Sequence, residues 1–272
     1  KDNFAPAHYL EALVSIMLSR NHAQDAVYHD LEANYHLERA EQYDTAFHDE
    51  AEKQHPYVRR QLETIPKVIL CSRDEGMVLA WEKEFGQYPW MQLVQGDILE
   101  QRADAIVSPA NSFGCMDGGL DYQLSNFFGW DLQKKLQKRF REKYDGELLV
   151  GQAEIVETRK SEIPYMISAP TMRVPMVIQD TVNSYLAMRA VFRAIMEYNA
   201  SEMRIHSVLI PGLGTGVGEV PFYIAARQMR AGYERSLLGR TISFSDFAEA
   251  QQDHRALASR HFHDLYKSAS RR

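Results

Sequence analysis

The sequence predicts an α/β domain in which helices cover both faces of a sheet, with helical segments before and after it. Between residues 67 and 236, short apolar runs of strand length alternate with stretches of helical spacing. Residues 1–66 contain no glycine and lack turn signals for strands, and residues 237–272 are polar with helical character. We therefore expect a helical extension at 1–66, an α/β domain at 67–236 and a C-terminal helical segment at 237–272.

Two helices are predicted in the extension. The first carries apolar residues at spacings of three and four, which defines one helix face: Leu10, Leu13, Val14, Met17 and Leu18. The second lies within the charged stretch 21–54 and has a weaker apolar stripe through Val27, Leu31 and Tyr35. Amphipathic helices need a surface to cover, so we expect this region to pack on the α/β domain or on a partner protein.

Histidines recur every seven residues in the second helix, at His22, His29 and His36. This spacing places them on one helix face, where a metal site would need further ligands from a facing helix. The sequence offers one E-x-x-H pattern, Glu52 to His55, but a lone copy of this pattern is common by chance. We therefore predict a solvated or interface face, with no metal site and no cofactor.

Six strands and four helices are predicted within the α/β domain. The strands are Val68–Leu70, Met91–Val94, Ala105–Val107, Ala153–Val156, Tyr165–Ser168 and Ser207–Ile210. The helices are Glu75–Phe85, Leu132–Tyr144, Val182–Asn199 and Val220–Tyr233. In the C-terminal segment, Ser245 is the predicted N-cap of a helix that begins at Asp246.

The composition excludes several classes of protein. A hydrophobic fraction of 45% and a charged fraction of 25% are typical of a folded globular protein. No apolar stretch is long enough to span a membrane, and no secretory leader is evident, so we expect a cytoplasmic protein. A net charge of −6 argues against non-specific binding of nucleic acid. Two cysteines argue against a disulfide framework or a structural zinc site.

Two loops that follow predicted strands carry polar groups suited to a nucleotide sugar. In the loop 95–99, Asp97 can accept hydrogen bonds from an amine edge of a base, although a turn aspartate that caps the next segment has the same pattern. The loop 108–121 is rich in glycine and contains Asn111, whose amide suits a sugar diol, and Asp121, which can activate a water. The alternatives are an Asx-turn for Asn111 and a helix N-terminal carboxylate for Asp121. The sequence shows no base that could activate the Cys115 thiol, so Cys115 is interpreted as a loop residue without a catalytic role.

The third loop, 211–221, joins a buried strand to a helix and has glycine at every second position from Gly212 to Gly218. This arrangement favours an anion-binding site formed by backbone amides at a helix N-terminus, and a diphosphate is the ligand that suits it. The loop fits neither the dinucleotide-binding fingerprint nor the phosphate loop of nucleoside triphosphatases. Together the three loops predict a nucleotide-sugar site.

This pattern resembles the macro domain family, whose members bind ADP-ribose. The resemblance rests on three segments in order, Gly96-Asp97-Ile98, then Ser108–Asn111 with Gly118–Asp121, then Gly214–Gly218, and it covers about residues 67–236. It implies a three-layer α/β/α sandwich around a mixed central sheet. It also implies that the partner is ADP-ribose or an ADP-ribosylated macromolecule.

The resemblance also implies roles for individual residues. Asp97 would accept the adenine 6-amino group with Ile98 beside the ring, and Asn111 would contact the distal ribose. Asn111 and Asp121 would be the catalytic pair, because one hydrolase subgroup of the family has an aspartate ten residues after the loop asparagine. The diphosphate and ribose would be lined on one side by Gly118, Gly119 and Leu120, and on the other by Gly214, Thr215, Gly216, Val217 and Gly218.

Three positions depart from that hydrolase subgroup. Met116 and Asp117 replace two glycines of the first loop, and Asp117 adds a negative charge near the expected diphosphate. Gly218 stands where the subgroup often has an aromatic residue. Three hypotheses remain open: an ADP-ribosyl hydrolase or ADP-ribose-processing enzyme, a non-catalytic reader of ADP-ribose, and a structural protein that retains the fold.

Overall fold

The computed structural model describes residues 5–21, 25–43, 53–54, 62, 65–202, 204–240 and 242–259. At its centre is one six-stranded sheet, with strand order β2-β1-β6-β3-β5-β4. The strands are β1 Lys67–Ser72, β2 Gln92–Gln95, β3 Ala105–Ser108, β4 Glu154–Glu157, β5 Tyr165–Ser168 and β6 Ser207–Ile210. All neighbours run parallel except β4, which is antiparallel to β5, so the predicted mixed sheet is confirmed.

The helices within the described residues occupy two layers and two flanking segments. They are α1 Ala5–Asn21, α2 Ala26–Tyr43, α3 Glu75–Phe85, α4 Gly119–Phe128, α5 Asp131–Lys143, α6 Asn183–Ser201, α7 Phe222–Ser236 and α8 Phe247–Ala258. A 3-10 turn at Ile98–Glu100 follows β2. No helix in the described ranges combines the length and apolar character that a membrane span needs.

The alternation of side chains along the buried strands builds two cores. Val68 and Leu70 of β1 face a large core formed with α3, α6 and α7, whereas Ile69 and Cys71 face a second core formed with α4 and α5. Strands buried on both faces have continuous apolar runs, which is why the sequence showed them clearly. The three-layer α/β/α sandwich is therefore confirmed.

The helical extension differs in detail from its prediction. The helix α1 forms, but Leu10, Val14 and Met17 of the predicted apolar face are 55–62% exposed, and Ala12 and Ile16 are buried instead. Ala12 and Ile16 form a buried cluster with Ala33 and Leu37 of α2, so the face of α1 that α2 covers is not the face with the predicted apolar stripe. The expectation that the larger apolar residues pack inward was therefore wrong for these three residues.

The second helix attaches the extension to the sandwich. The Tyr28 ring lies 5.4 Å from that of Trp90 and 6.3 Å from that of Tyr88, and Val27 and Leu31 pack against the larger core. The predicted stripe through Val27 and Leu31 thus faces the domain. His22 lies outside the described residues.

At the C-terminus, α8 begins one residue later than predicted. The N-cap is Asp246, whose carboxylate accepts a hydrogen bond from the backbone N–H of Glu249 at 2.9 Å. The Glu249 side chain in turn accepts from the backbone N–H of Ser245 at 2.8 Å. The prediction of Ser245 as the N-cap was therefore wrong. Asp246 supplies the capping side chain, and Ser245 contributes only its backbone N–H to the reciprocal pair.

Candidate nucleotide-sugar site

A cleft of about 340 Å³ lies beyond the carboxyl ends of the parallel strands. Its walls come from the segments 71–74 after β1, 96–98 after β2, 109–121 after β3, 171–175 after β5 and 211–218 after β6. Ligands of open α/β sheets bind at this edge because the loops there converge while the sheet holds them rigidly. Every residue predicted to bind ligand or to act in catalysis contributes to the lining of this cleft.

The loop after β2 positions Asp97 at the end of the cleft near β1. One carboxylate oxygen accepts from the backbone N–H of Leu99 at 3.0 Å, and the other accepts from Arg73 Nη2 at 2.5 Å. These hydrogen bonds lower the pKa of Asp97, the one from Leu99 most strongly. Asp97 therefore caps the 3-10 turn, as the alternative interpretation required, and also presents an ionised carboxylate to the cleft.

The loop after β3 is closed by its own asparagine. The Asn111 side-chain oxygen accepts from the backbone N–H groups of Phe113 at 3.1 Å and Cys115 at 3.2 Å, and its amide donates to the Cys115 carbonyl at 2.8 Å. This is the Asx-type arrangement weighed from the sequence. The second hydrogen of the amide is the group that Asn111 can offer to a ribose hydroxyl.

Asp121 lies in the first turn of α4, at the inner wall of the cleft. It is 8% exposed, and its carboxylate accepts from Ser108 Oγ at 2.5 Å. Burial raises the pKa of Asp121 to about 6, although the hydrogen bond from Ser108 opposes this shift and the charge of Asp117 adds to it. A carboxyl group that titrates near neutrality can exchange a proton with a bound ligand or water.

Three glycines of the loop after β6 lie in close contacts, and a Cβ atom on the first, Gly212, would lie 2.7 Å from Thr215 Oγ1. Gly214 has φ +75°, and a Cβ atom there would lie 2.9 Å from Ser184 Oγ. A Cβ atom on Gly218 would lie 2.5 Å from the Gly214 carbonyl oxygen and 2.7 Å from Ile178. At Gly216, by contrast, a Cβ atom would meet nothing within 4 Å. The loop is therefore packed at both ends and open in its middle.

This packing explains why Gly218 replaces the aromatic residue expected from the hydrolase subgroup. Ile178 occupies the adjacent space, and its backbone N–H donates to the Gly218 carbonyl at 2.9 Å. No larger side chain fits there without moving the loop backbone.

Arg73 was missed by the sequence analysis. It follows β1 directly, beside Asp74, and it is the one cationic side chain among the described residues that line the cleft. Its signal in the sequence is its position immediately after a buried strand, close to the place that Asp97 has after β2. Thr171 and Met172, which follow β5, also line the cleft and were not predicted from the sequence. The cleft otherwise carries several carboxylates, including Asp117 at its exposed rim.

Comparisons with known proteins identify sequences and structures to which this chain is similar. A family model described as the Macro domain matches residues 107–229. The chain is 34% identical to an uncharacterized protein of Aquifex aeolicus over 139 residues, which is 51% of this chain and 78% of the relative. It is similar in structure to the macrodomain of Mycobacterium tuberculosis DarG, with 22% identity, a TM-score of 0.44 and coverage of 52% and 88% of the two chains. An Oceanobacillus iheyensis macrodomain with ADP is also similar, with 22% identity, a TM-score of 0.44 and coverage of 60% and 88%.

Proposed function

This chain belongs to the macro domain family, and from that premise we propose that it binds ADP-ribose, free or as a modification of a macromolecule. The observation that carries the proposal is the convergence of three loops, those after β2, β3 and β6, on one cleft at the carboxyl edge of the sheet. Each loop offers chemistry suited to one part of the ligand, and they are arranged in the order in which those parts are joined.

Asp97 is proposed to accept the adenine 6-amino group with the oxygen that also accepts from Arg73. A carboxylate oxygen has two lone pairs, so both hydrogen bonds can form together. The open middle of the loop at Thr215–Val217, together with Gly118–Leu120 of the cleft lining, is proposed to enclose the diphosphate. Arg73 offsets part of the negative charge that the ligand brings into a cleft with several carboxylates.

Hydrolysis of an ADP-ribosyl linkage is the second candidate function, favoured by Asp121. Its raised pKa of about 6 and its place in the cleft lining suit a group that takes a proton from an attacking water. Asn111, whose loop is closed by its own hydrogen bonds, would orient the distal ribose beside it. The Asp121 carboxylate accepts a hydrogen bond from Ser108, so hydrolysis would require water to reach this carboxylate when ADP-ribose is bound.

Chemical labelling of Cys115 tests ligand binding in this cleft directly. Cys115 is exposed and lines the cleft, whereas Cys71 is buried and its pKa is raised to about 11, so it should not be alkylated. We expect ADP-ribose to slow alkylation of Cys115 by iodoacetamide by about tenfold or more when the site is saturated. Mass spectrometry of the labelled peptide measures the rate, and Cys115→Ser provides the background.

Ribose 5-phosphate, which lacks the adenosine half of the ligand, is the matched control for labelling. If ADP-ribose leaves the alkylation rate at the value seen without ligand, the proposed site is wrong. Protection by ribose 5-phosphate alone would indicate a phosphate site without adenine recognition.

A further inference from the structure

The two N-terminal helices bring together a cluster of metal-ligating side chains outside the cleft. His8 and Glu11 lie one turn apart on α1, and His36 faces them from α2. The Nδ1 atoms of the two histidines are 3.0 Å apart, and Glu11 Oε2 lies 3.0 Å from His36 Nδ1 and 3.6 Å from His8 Nδ1. Helix α1 therefore supplies the further ligands, His8 and Glu11, that the seven-residue spacing of the histidines in α2 did not show.

We propose that His8, Glu11 and His36 form a site for a divalent transition metal of the zinc class. A triangle with sides of 3.0, 3.0 and 3.6 Å has a centre about 1.9 Å from each atom, close to the 2.0–2.1 Å at which zinc binds imidazole and carboxylate. An ion slightly out of this plane reaches the ideal distance from all three atoms without movement of the helices.

The chemistry of the three ligands favours a transition metal over magnesium or calcium. Two imidazole nitrogens and one carboxylate form a set that suits zinc, copper or nickel, whereas magnesium and calcium prefer oxygen ligands. The two histidines are largely buried, with side chains 12% and 16% exposed, and the Glu11 side chain is 59% exposed. The ion would therefore enter from the Glu11 side.

The charges around the cluster also suit a cation. Glu32 lies near His36, where it accepts from Ser15 Oγ at 2.9 Å and from Tyr28 OH at 3.2 Å. Arg39 is the nearby positive group, and its guanidinium lies 6.0 Å from the ring centroid of Tyr35. Two carboxylates thus oppose one guanidinium around the site.

The site would join two helices whose buried apolar cluster has four residues. The buried cluster between α1 and α2 consists of Ala12, Ile16, Ala33 and Leu37, and a hydrogen bond from Ser15 Oγ to Glu32 also joins the two helices. A metal ion that binds only when both helices are in place stabilises their pairing by its own binding free energy. The metal therefore has a structural role at the junction of α1 and α2.

The test is Zn²⁺ binding to the full chain after treatment with a chelator, measured by isothermal titration and by thermal unfolding. We expect one Zn²⁺ per chain and a concentration-dependent rise in Tm, and no such rise with Mg²⁺. His36→Ala and Glu11→Gln should each lower the Zn²⁺ affinity at least about tenfold. Glu11→Gln alters an exposed side chain, so folding of this variant is not at risk.

Two variants control for adventitious binding. His29→Ala removes a histidine from the same helix that lies outside the cluster, and Cys115→Ser removes the exposed thiol. Both should bind Zn²⁺ as the unaltered chain does. Absence of Zn²⁺ binding, or equal affinity in the unaltered chain, His36→Ala and Glu11→Gln, would overturn the proposal. These readouts do not involve ADP-ribose, so they are independent of the proposed function.

Discussion

Replacing Asp121 with Asn is expected to increase the free energy of unfolding by about 3 kcal/mol at neutral pH, since one pKa unit corresponds to about 1.4 kcal/mol. Asp121 is 8% exposed, and its pKa is raised to about 6 from a model-peptide value of 3.8. Keeping this carboxylate ionised in the interior therefore costs free energy. Asparagine removes the charge and retains an oxygen that can accept from Ser108.

The pH dependence has a definite sign. A group whose pKa is higher in the folded state binds protons more tightly there, so its contribution favours folding below its unfolded pKa and is lost as the pH rises through its folded pKa. The advantage of Asp121→Asn should thus be present above pH 6 and decline toward zero as the pH falls to about 4. Urea unfolding of both proteins across this range measures the difference.

Asp131→Asn is the matched control, because Asp131 is a 63% exposed carboxylate in the first turn of the following helix. Its effect should be small at every pH. A stability gain in Asp121→Asn that does not change with pH would contradict the assigned ionisation. If the chain hydrolyses an ADP-ribosylated protein, Asp121→Asn should also lose turnover, which would indicate that the buried charge is retained for activity at the expense of stability.

Replacing Asp97 with Asn is expected to weaken ADP-ribose binding by about 1.5–3 kcal/mol, because a hydrogen bond to a charged acceptor is lost. The variant keeps an oxygen that can cap the 3-10 turn at Leu99, so the loop should remain in place. Its new amide is a donor, which matches a 6-oxo group better than a 6-amino group. Inosine diphosphate ribose should therefore bind the variant more tightly than it binds the unaltered chain.

Asp74→Asn separates recognition from charge in this experiment. Asp74 also lines the cleft beside Arg73, and its replacement removes the same formal charge at a position for which we propose no contact to adenine. Calorimetric titration of both ligands into all three proteins gives the comparison. If Asp97→Asn and Asp74→Asn change the affinities equally, Asp97 does not read the base.

The inner strands β1, β3, β5 and β6 were predictable because they are buried on both faces and therefore form continuous apolar runs, as in Val68–Leu70 and Ser207–Ile210. The cleft was predictable because parallel strands deliver their loops to one edge. Glycine spacing located the loop after β6, and the structure adds that Gly212, Gly214 and Gly218 are constrained by close contacts whereas Gly216 is not.

Other features depend on contacts between distant segments, which local patterns cannot show. The exposed face of α1 was misassigned because burial of Ala12 and Ile16 depends on how α2 approaches. Arg73 pairs with Asp97 across 24 positions of the chain, and His8 meets His36 across 28. The N-cap of α8 was displaced by one residue because Ser245 and Asp246 are both good capping residues, and the reciprocal contact with Glu249 decides between them.

The most direct test of the central claim is isothermal titration of the unaltered chain with ADP-ribose, with AMP and NAD as comparators. The geometry predicts one site per chain and an affinity for ADP-ribose at least about tenfold higher than for AMP, because the diphosphate and distal ribose add contacts in the loops after β3 and β6. NAD, whose distal ribose carries a further group, should also bind more weakly. No binding of ADP-ribose, or equal binding of all three ligands, would contradict the assignment and leave the cleft as a retained part of the fold.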